Sequence, residues 1–150
     1  MMPRMNAWLL DLGAGYAAAI GGRELLHLID VPTTFPVPCS PHYCNRVVFW
    51  QDRLLPVMDL ASRLGGGAQQ AHFIAVVGYQ QKREEYPQFG ALLLAAPPRQ
   101  LAVSDDQACD VPEQSRGWME FAISCFDYQG DVIPILNLNK LFDKPPGSNG

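Results

Sequence analysis

Two segments of the sequence, 78 positions apart, carry the same pattern of residues. Residues 50–60 read WQDRLLPVMDL, and residues 128–138 read YQGDVIPILNL. In both, a polar turn precedes an apolar stretch with a central proline, and Asp59 or Asn137 follows as a residue type that caps a helix. The repeat predicts two equivalent halves, each with a hairpin, a strand that bends at its proline and a one-turn helix.

Short apolar runs fill most of the remaining chain. Runs of four to seven residues are bounded by Gly, Pro, Asp and Gln, and few stretches keep a helical period. This pattern is typical of a mostly β fold with many turns. The predicted strands are residues 7–12, 16–20, 24–29, 47–50, 54–58, 73–79, 90–94, 119–127 and 131–136, and the predicted one-turn helices are 60–64 and 138–142.

Length and charge exclude several classes of protein. With 150 residues the chain has the size of one domain, and its net charge of −4 provides no basic surface for nucleic acid. The apolar stretch 7–20 is interrupted by Asp11 and two glycines, so it predicts neither a signal peptide nor a membrane insertion. We therefore expect a cytoplasmic protein without nucleic-acid partners.

The four cysteines are Cys39, Cys44, Cys109 and Cys125, and in the cytoplasm we expect them to be reduced thiols. Cys39, His42 and Cys44 are close in sequence, but zinc sites usually have four ligands in paired short spacings. The interpretation that we favour is a turn with small side chains, without metal or cofactor. Two alternative functions stay open: a small metal- or thiol-binding protein, and a degenerate structural subunit.

Catalysis needs a nucleophile beside a base, or two carboxylates with different pKa values, in one pocket. The three histidines occur in unrelated contexts, and the acidic pairs at 84–85 and 105–106 fall in predicted loops. We predict that the protein is not an enzyme.

The order of the motifs resembles the CheW family of chemotaxis adaptor proteins from about Trp8 to Phe142. The matching stretches are DLG at 11–13, PVPCSPHY at 36–43, LLPVMDL at 54–60 and the second copy at 132–142. The resemblance implies two five-stranded SH3-like β-barrels packed around a shared core. It places the first barrel at about 16–66 and the second at about 71–142, within one CheW-like domain at 1–143. The strand at 7–12 completes the sheet, and we expect a disordered tail at 144–150.

The resemblance also implies a function. Such adaptors are non-catalytic scaffolds that bridge the regulatory domain of a CheA-type histidine kinase to the cytoplasmic tip of a methyl-accepting chemoreceptor. In the family, the hairpin that takes part in this coupling reads Gly-Val-x-Asn-Leu-Arg-Gly.

Here that hairpin reads RVVFWQD at 46–52, so both glycines, the Asn and the Arg are replaced. His27 likewise stands where the family has an acidic residue. Strand alternation directs one ring of the Phe49–Trp50 pair inward and the other outward, and an outward ring with a polar rim is typical of a binding hot spot. The departures indicate a divergent adaptor. The candidate system that it serves is a type IV pilus or twitching system. The candidate partner-binding residues are Leu25, His27, Arg46, Phe49, Trp50, Gln51, Asp52 and Arg53.

Overall fold

The computed structural model describes residues 4–70, 72–80, 86–109 and 120–142. The first half of the chain contains β1 (Arg4–Gly13), β2 (Tyr16–Gly21), β3 (Leu25–Asp30), β4 (Phe35–Pro36), β5 (Arg46–Trp50), β6 (Arg53–Met58) and helix α1 (Leu60–Arg63). The second half contains β7 (Phe73–Tyr79), β8 (Gln88–Leu94), β9 (Arg99–Ser104), β10 (Ala108–Cys109), β11 (Ala122–Tyr128), β12 (Asp131–Leu136) and helix α2 (Leu138–Leu141). A 3-10 helix, Asp105–Gln107, joins β9 to β10.

The mostly β fold with two one-turn helices is confirmed, and each of the nine predicted strands corresponds to an observed strand. The sequence did not predict β9 or the two-residue strands β4 and β10. Among the described strands, β9 pairs with β1 alone, and none of its residues is fully buried. It therefore lacks the apolar run that reveals the central strands.

The strands form two curled sheets like paired SH3-like barrels. Sheet 1 has the order β10-β11-β12-β2-β1-β9, and sheet 2 has the order β4-β5-β6-β8-β7-β3. Within the described residues, each sheet contains five longer strands and one two-residue strand at its edge. Neighbouring strands are antiparallel, except that β12 pairs with β2 and β6 pairs with β8 in parallel.

The two halves exchange their first hairpins. Sheet 1 combines β1 and β2 with the last four strands of the second half, and sheet 2 combines β7 and β8 with β3 to β6. The sheets therefore do not follow the predicted barrel boundaries of 16–66 and 71–142. The exchange depends on the parallel pairs β2–β12 and β6–β8 and on the antiparallel pairs β1–β9 and β3–β7. These pairs join residues far apart in sequence and leave no local signal. The predicted tail at 144–150 lies outside the described residues.

The prolines of the repeat lie in equivalent strands. Pro56 pairs with Val47 of β5, and Pro134 pairs with Cys125 of β11, with the same offset of 78 in both strands. We expected these prolines at a sheet edge or a bulge, yet β6 and β12 are interior strands. In the described strands, the parallel ladder with the next strand begins only after each proline, at Val57 and Ile135. Proline has no backbone N–H to donate, and it is tolerated at this position because the strand makes no ladder hydrogen bond to its parallel neighbour there.

A shared core lies between the sheets, and each barrel has a smaller core of its own. Strand β1 contributes to two of the three cores. Leu10 and Leu12 are buried in the shared core with Trp8 packed against it, whereas Ala7 faces the core of sheet 1. The predicted strand at 7–12 is thus an interior strand that pairs with both β2 and β9.

Candidate partner-binding surface

Strands β5 and β6 form a tight hairpin that contains six of the eight candidate residues. Trp50 pairs with Arg53, and the two residues between them form the turn. Gln51 and Asp52 have φ values of 48° and 62°. Type I′ turns require a positive φ at both positions because this geometry matches the twist of the strands. The family pattern has glycine at the second position, and this chain uses Asp52 in the left-handed conformation instead.

The alternation of Phe49 and Trp50 is as predicted. Val48 is buried in the core of sheet 2, and Trp50 packs against the same core with its ring centroid 5.7 Å from that of Phe89. Phe49 faces outward and is 61% exposed. Phe49 is therefore the candidate anchor, and Trp50 belongs to the barrel.

Two further apolar side chains lie on the outward face with Phe49. Leu54 is the direct cross-strand partner of Phe49, and the Phe35 ring meets the Phe49 ring edge-on at 5.7 Å. Directly opposite residues of an antiparallel pair point to the same face. Phe35 is 44% exposed and Leu54 is 57% exposed. We call Phe35, Phe49 and Leu54 the apolar patch.

Sequence reasoning missed Phe35 and Leu54. Leu54 could have been identified, because a core position at Leu55 requires the preceding residue of the strand to face outward. No local signal identifies Phe35, since β4 has two residues and its pairing with β5 spans a loop.

The charged candidate residues of the hairpin are Arg46, Asp52 and Arg53. Arg46 is exposed, and its Nη1 donates a hydrogen bond of 2.9 Å to Thr34 Oγ1. The exposed Arg53 guanidinium lies 4.5 Å from the centroid of the Phe89 ring. Asp52 is exposed at the tip of the hairpin. Arg53 is the cross-strand partner of Trp50, and Arg46 is that of the buried Val57, so strand alternation directs both arginines to the other face of the hairpin from Phe49.

The other two candidate residues are in a different place. Leu25 and His27 belong to β3, which lies at the opposite edge of sheet 2 from β4 and β5. Leu25 packs against the shared core, and His27 is exposed beside an irregularity in the β3–β7 pairing. Strands β7 and β8 therefore lie between these residues and the hairpin in the sheet.

The segment with Cys39, His42 and Cys44 forms a turn. The Cys44 N–H donates to the Pro41 carbonyl at 3.0 Å, and Cys39 is exposed with φ 58°. Burial raises the pKa of the Cys44 thiol, and the nearby Arg63 partly offsets this. Among the residues that the structure describes, no three His, Cys, Asp or Glu side chains are grouped to hold a metal ion.

Comparisons with known proteins agree with this architecture. Residues 9–146 match the family model of the CheW-like domain. The crystal structure of the scaffolding protein TtCheW from Thermoanaerobacter tengcongensis is similar with a TM-score of 0.77, over 95% of this chain and 94% of that chain. The sequence identity is 16%, so this likeness shows the fold. No curated protein sequence matches the chain. No helix in the described ranges is long and apolar enough to cross a membrane.

Proposed function

The chain belongs to the CheW-like domain family, whose members are non-catalytic scaffolds, and we propose that it is a cytoplasmic chemotaxis adaptor with the apolar patch as its docking surface. Its partners are the regulatory domain of a CheA-type histidine kinase and the cytoplasmic tip of a methyl-accepting chemoreceptor. The family match supports an adaptor role. The identity of the partners and the place where they bind are our proposal.

The observation that carries the proposal is the exposure of three large apolar side chains together. Single exposed apolar residues are common on soluble proteins, but a contiguous group often marks an interaction site. Phe49 and Leu54 stand on paired strands of a short hairpin, so their backbone positions are fixed before a partner binds. Binding then costs little conformational entropy, which favours affinity.

The replaced residues of the hairpin would select the partner. Arg46 and Asp52 stand where the family pattern has glycine, and both side chains are exposed. A partner shaped for glycine would meet added bulk and charge, and it would bind more weakly than one with complementary groups. We therefore expect the cognate kinase domain or receptor tip to offer an apolar socket for Phe49 and polar groups that can pair with Arg46 and Asp52.

Calorimetric titration tests this function directly. The full chain is titrated with the kinase regulatory domain and, separately, with the receptor tip encoded in the same genome. Substitution of Phe49 by Ala should weaken binding to at least one partner by about 2 kcal/mol, or roughly 30-fold, as expected for a central anchor. Leu54→Ala should weaken binding to the same partner.

The matched control is Asp127→Ala, at the position equivalent to Phe49 in the second hairpin. Asp127 is exposed, so this variant should keep wild-type affinity and melting temperature. Thermal melting by circular dichroism verifies that Phe49→Ala is folded. If the wild-type chain binds neither partner, the adaptor role is wrong. If it binds but both Phe49→Ala and Leu54→Ala retain full affinity, the docking surface lies elsewhere.

A further inference from the structure

Two cysteines face each other at the edge of sheet 1. Cys109 of β10 and Cys125 of β11 are direct cross-strand partners, and their Sγ atoms are 3.2 Å apart. Direct cross-strand partners lie at Cα separations within the range that disulfides span. Formation of a bond between these sulfurs therefore requires only a small approach of the two side chains.

The two thiols differ in exposure. Cys125 is 1% exposed, and its Sγ lies 2.6 Å from the Cys109 carbonyl oxygen, which accepts its hydrogen. Cys109 is partly exposed on a two-residue edge strand. A dissolved oxidant therefore meets Cys109 first, and Cys125 is positioned behind it as the resolving thiol.

We propose that Cys109 and Cys125 form a redox modification site, in which a peroxide converts the dithiol to a cross-strand disulfide. In the first step the Cys109 sulfur attacks hydrogen peroxide, and the products are a sulfenic acid and one water. In the second step the Cys125 thiol displaces the hydroxyl group of the sulfenic acid, which leaves as a second water when it takes the Cys125 proton. The protein loses two protons and two electrons in total, and an external dithiol reverses the reaction.

The other two cysteines provide an internal comparison. Cys39 is exposed in a turn, and Cys44 is half-buried with a thiol pKa raised by desolvation. A raised pKa lowers the population of the reactive thiolate at neutral pH. Among the described positions, neither residue has a sulfur–sulfur contact like that of Cys109 and Cys125. The described residues thus contain one pair of facing thiols, Cys109 and Cys125, and two thiols without such a contact.

The disulfide would fasten β10 to β11 and close the segment between residues 109 and 125. A cross-link that closes a loop restricts the unfolded chain, so the oxidised protein should melt at a higher temperature. The site is in sheet 1, whereas the apolar patch is on sheet 2. This inference therefore does not depend on the proposed docking surface.

The test uses the full chain with Cys39 and Cys44 both replaced by Ser. The reduced protein is treated with hydrogen peroxide, denatured and labelled with a maleimide reagent, and its intact mass is measured. We expect loss of both labelled sites, a mass decrease of two hydrogens, and a linked peptide pair containing Cys109 and Cys125. Dithiothreitol should restore both labels, and the melting temperature should rise on oxidation and fall again on reduction.

The reciprocal variant carries Ser at 109 and 125 and retains Cys39 and Cys44. It should form no internal disulfide under the same treatment. Because Ser at the buried position 125 could disturb folding, Cys109→Ser alone in the first background is the second control, and it should also form none. The proposal is overturned if both thiols stay open to the label after peroxide, if Cys109 is oxidised to sulfinic acid while Cys125 stays reduced, or if the disulfide joins two chains.

Discussion

The hairpins β5–β6 and β11–β12 occupy equivalent positions in the two halves but present different outward faces. Both have a two-residue turn with positive φ, a proline at the same position of the second strand and a capping side chain after it. On the outward face, Phe49 of the first hairpin corresponds to Asp127 of the second. Arg53 corresponds to Asp131, so the charge beside the turn changes sign as well.

The difference shows which parts of the repeat are fixed by folding. The turn, the proline and the cap determine the path of the backbone, and the inward residues must fill a core in both halves. Outward side chains are free of both requirements. A docking surface can therefore arise in one half while the other half has Asp127 at the position of Phe49 and the smaller Val132 at that of Leu54, without any change in the fold.

The two halves should differ most in stability at the position of Arg63. Its Nη1 donates to the Leu141 carbonyl at 3.2 Å, and its guanidinium lies 4.6 Å from the Tyr43 ring and 4.2 Å from the Phe121 ring. The equivalent residue of the second half is Leu141 itself. Arg63→Ala should lower the free energy of unfolding by about 2 to 3 kcal/mol, because it removes a charge-assisted hydrogen bond and two ring contacts.

Urea denaturation measures this loss. Lys140→Ala is the control, because Lys140 is an exposed basic residue in the last turn of α2 and should change stability by less than about 0.5 kcal/mol. Equal effects of the two substitutions would show that Arg63 does not link the halves.

The two helix caps should differ less in their contribution to the free energy of unfolding. The Asp59 carboxylate accepts hydrogen bonds from the backbone N–H groups of Ser62 at 3.1 Å and Gln69 at 2.9 Å. Asn137 accepts from Lys140 at 3.4 Å. Asp59→Ala should lower the free energy of unfolding by about 1 to 2 kcal/mol and Asn137→Ala by about 0.5 to 1 kcal/mol. Paired urea denaturation curves test the order, and a larger loss for Asn137→Ala would contradict it.

Substitutions in the two hairpin turns should change the free energy of unfolding least. Asp52 and Gly130 both have positive φ, and nothing lies within 4 Å of a Cβ added at Gly130. Only backbone strain should therefore distinguish Gly from Asp at these positions. Asp52→Gly should raise the free energy of unfolding by about 0.5 kcal/mol, and Gly130→Asp should lower it by about 1 kcal/mol. Thermal melting of the two variants provides the measurement. A loss of stability in Asp52→Gly would mean that the Asp52 side chain makes a stabilising contact.

Much of the fold is local and could be predicted from the sequence. The positions of the central strands follow from short apolar runs, and the repeat predicted that Pro56 and Pro134 would be equivalent. The alternation of side chains along a strand predicted that one ring of the Phe49–Trp50 pair would face outward. Each of these features depends on residues that are close in sequence, where the period of the strand and the type of turn limit the alternatives.

The sequence determined the repeat, the central strands and the hairpin, because hydrophobic period and turn chemistry act over a few residues. Only the tertiary structure decided that the halves exchange their first hairpins, that Phe35 joins Phe49 and Leu54, and that Cys109 faces Cys125. These features depend on which distant strands pair and in which register. These pairings join residues that are far apart in sequence, so they are selected by packing of the whole chain.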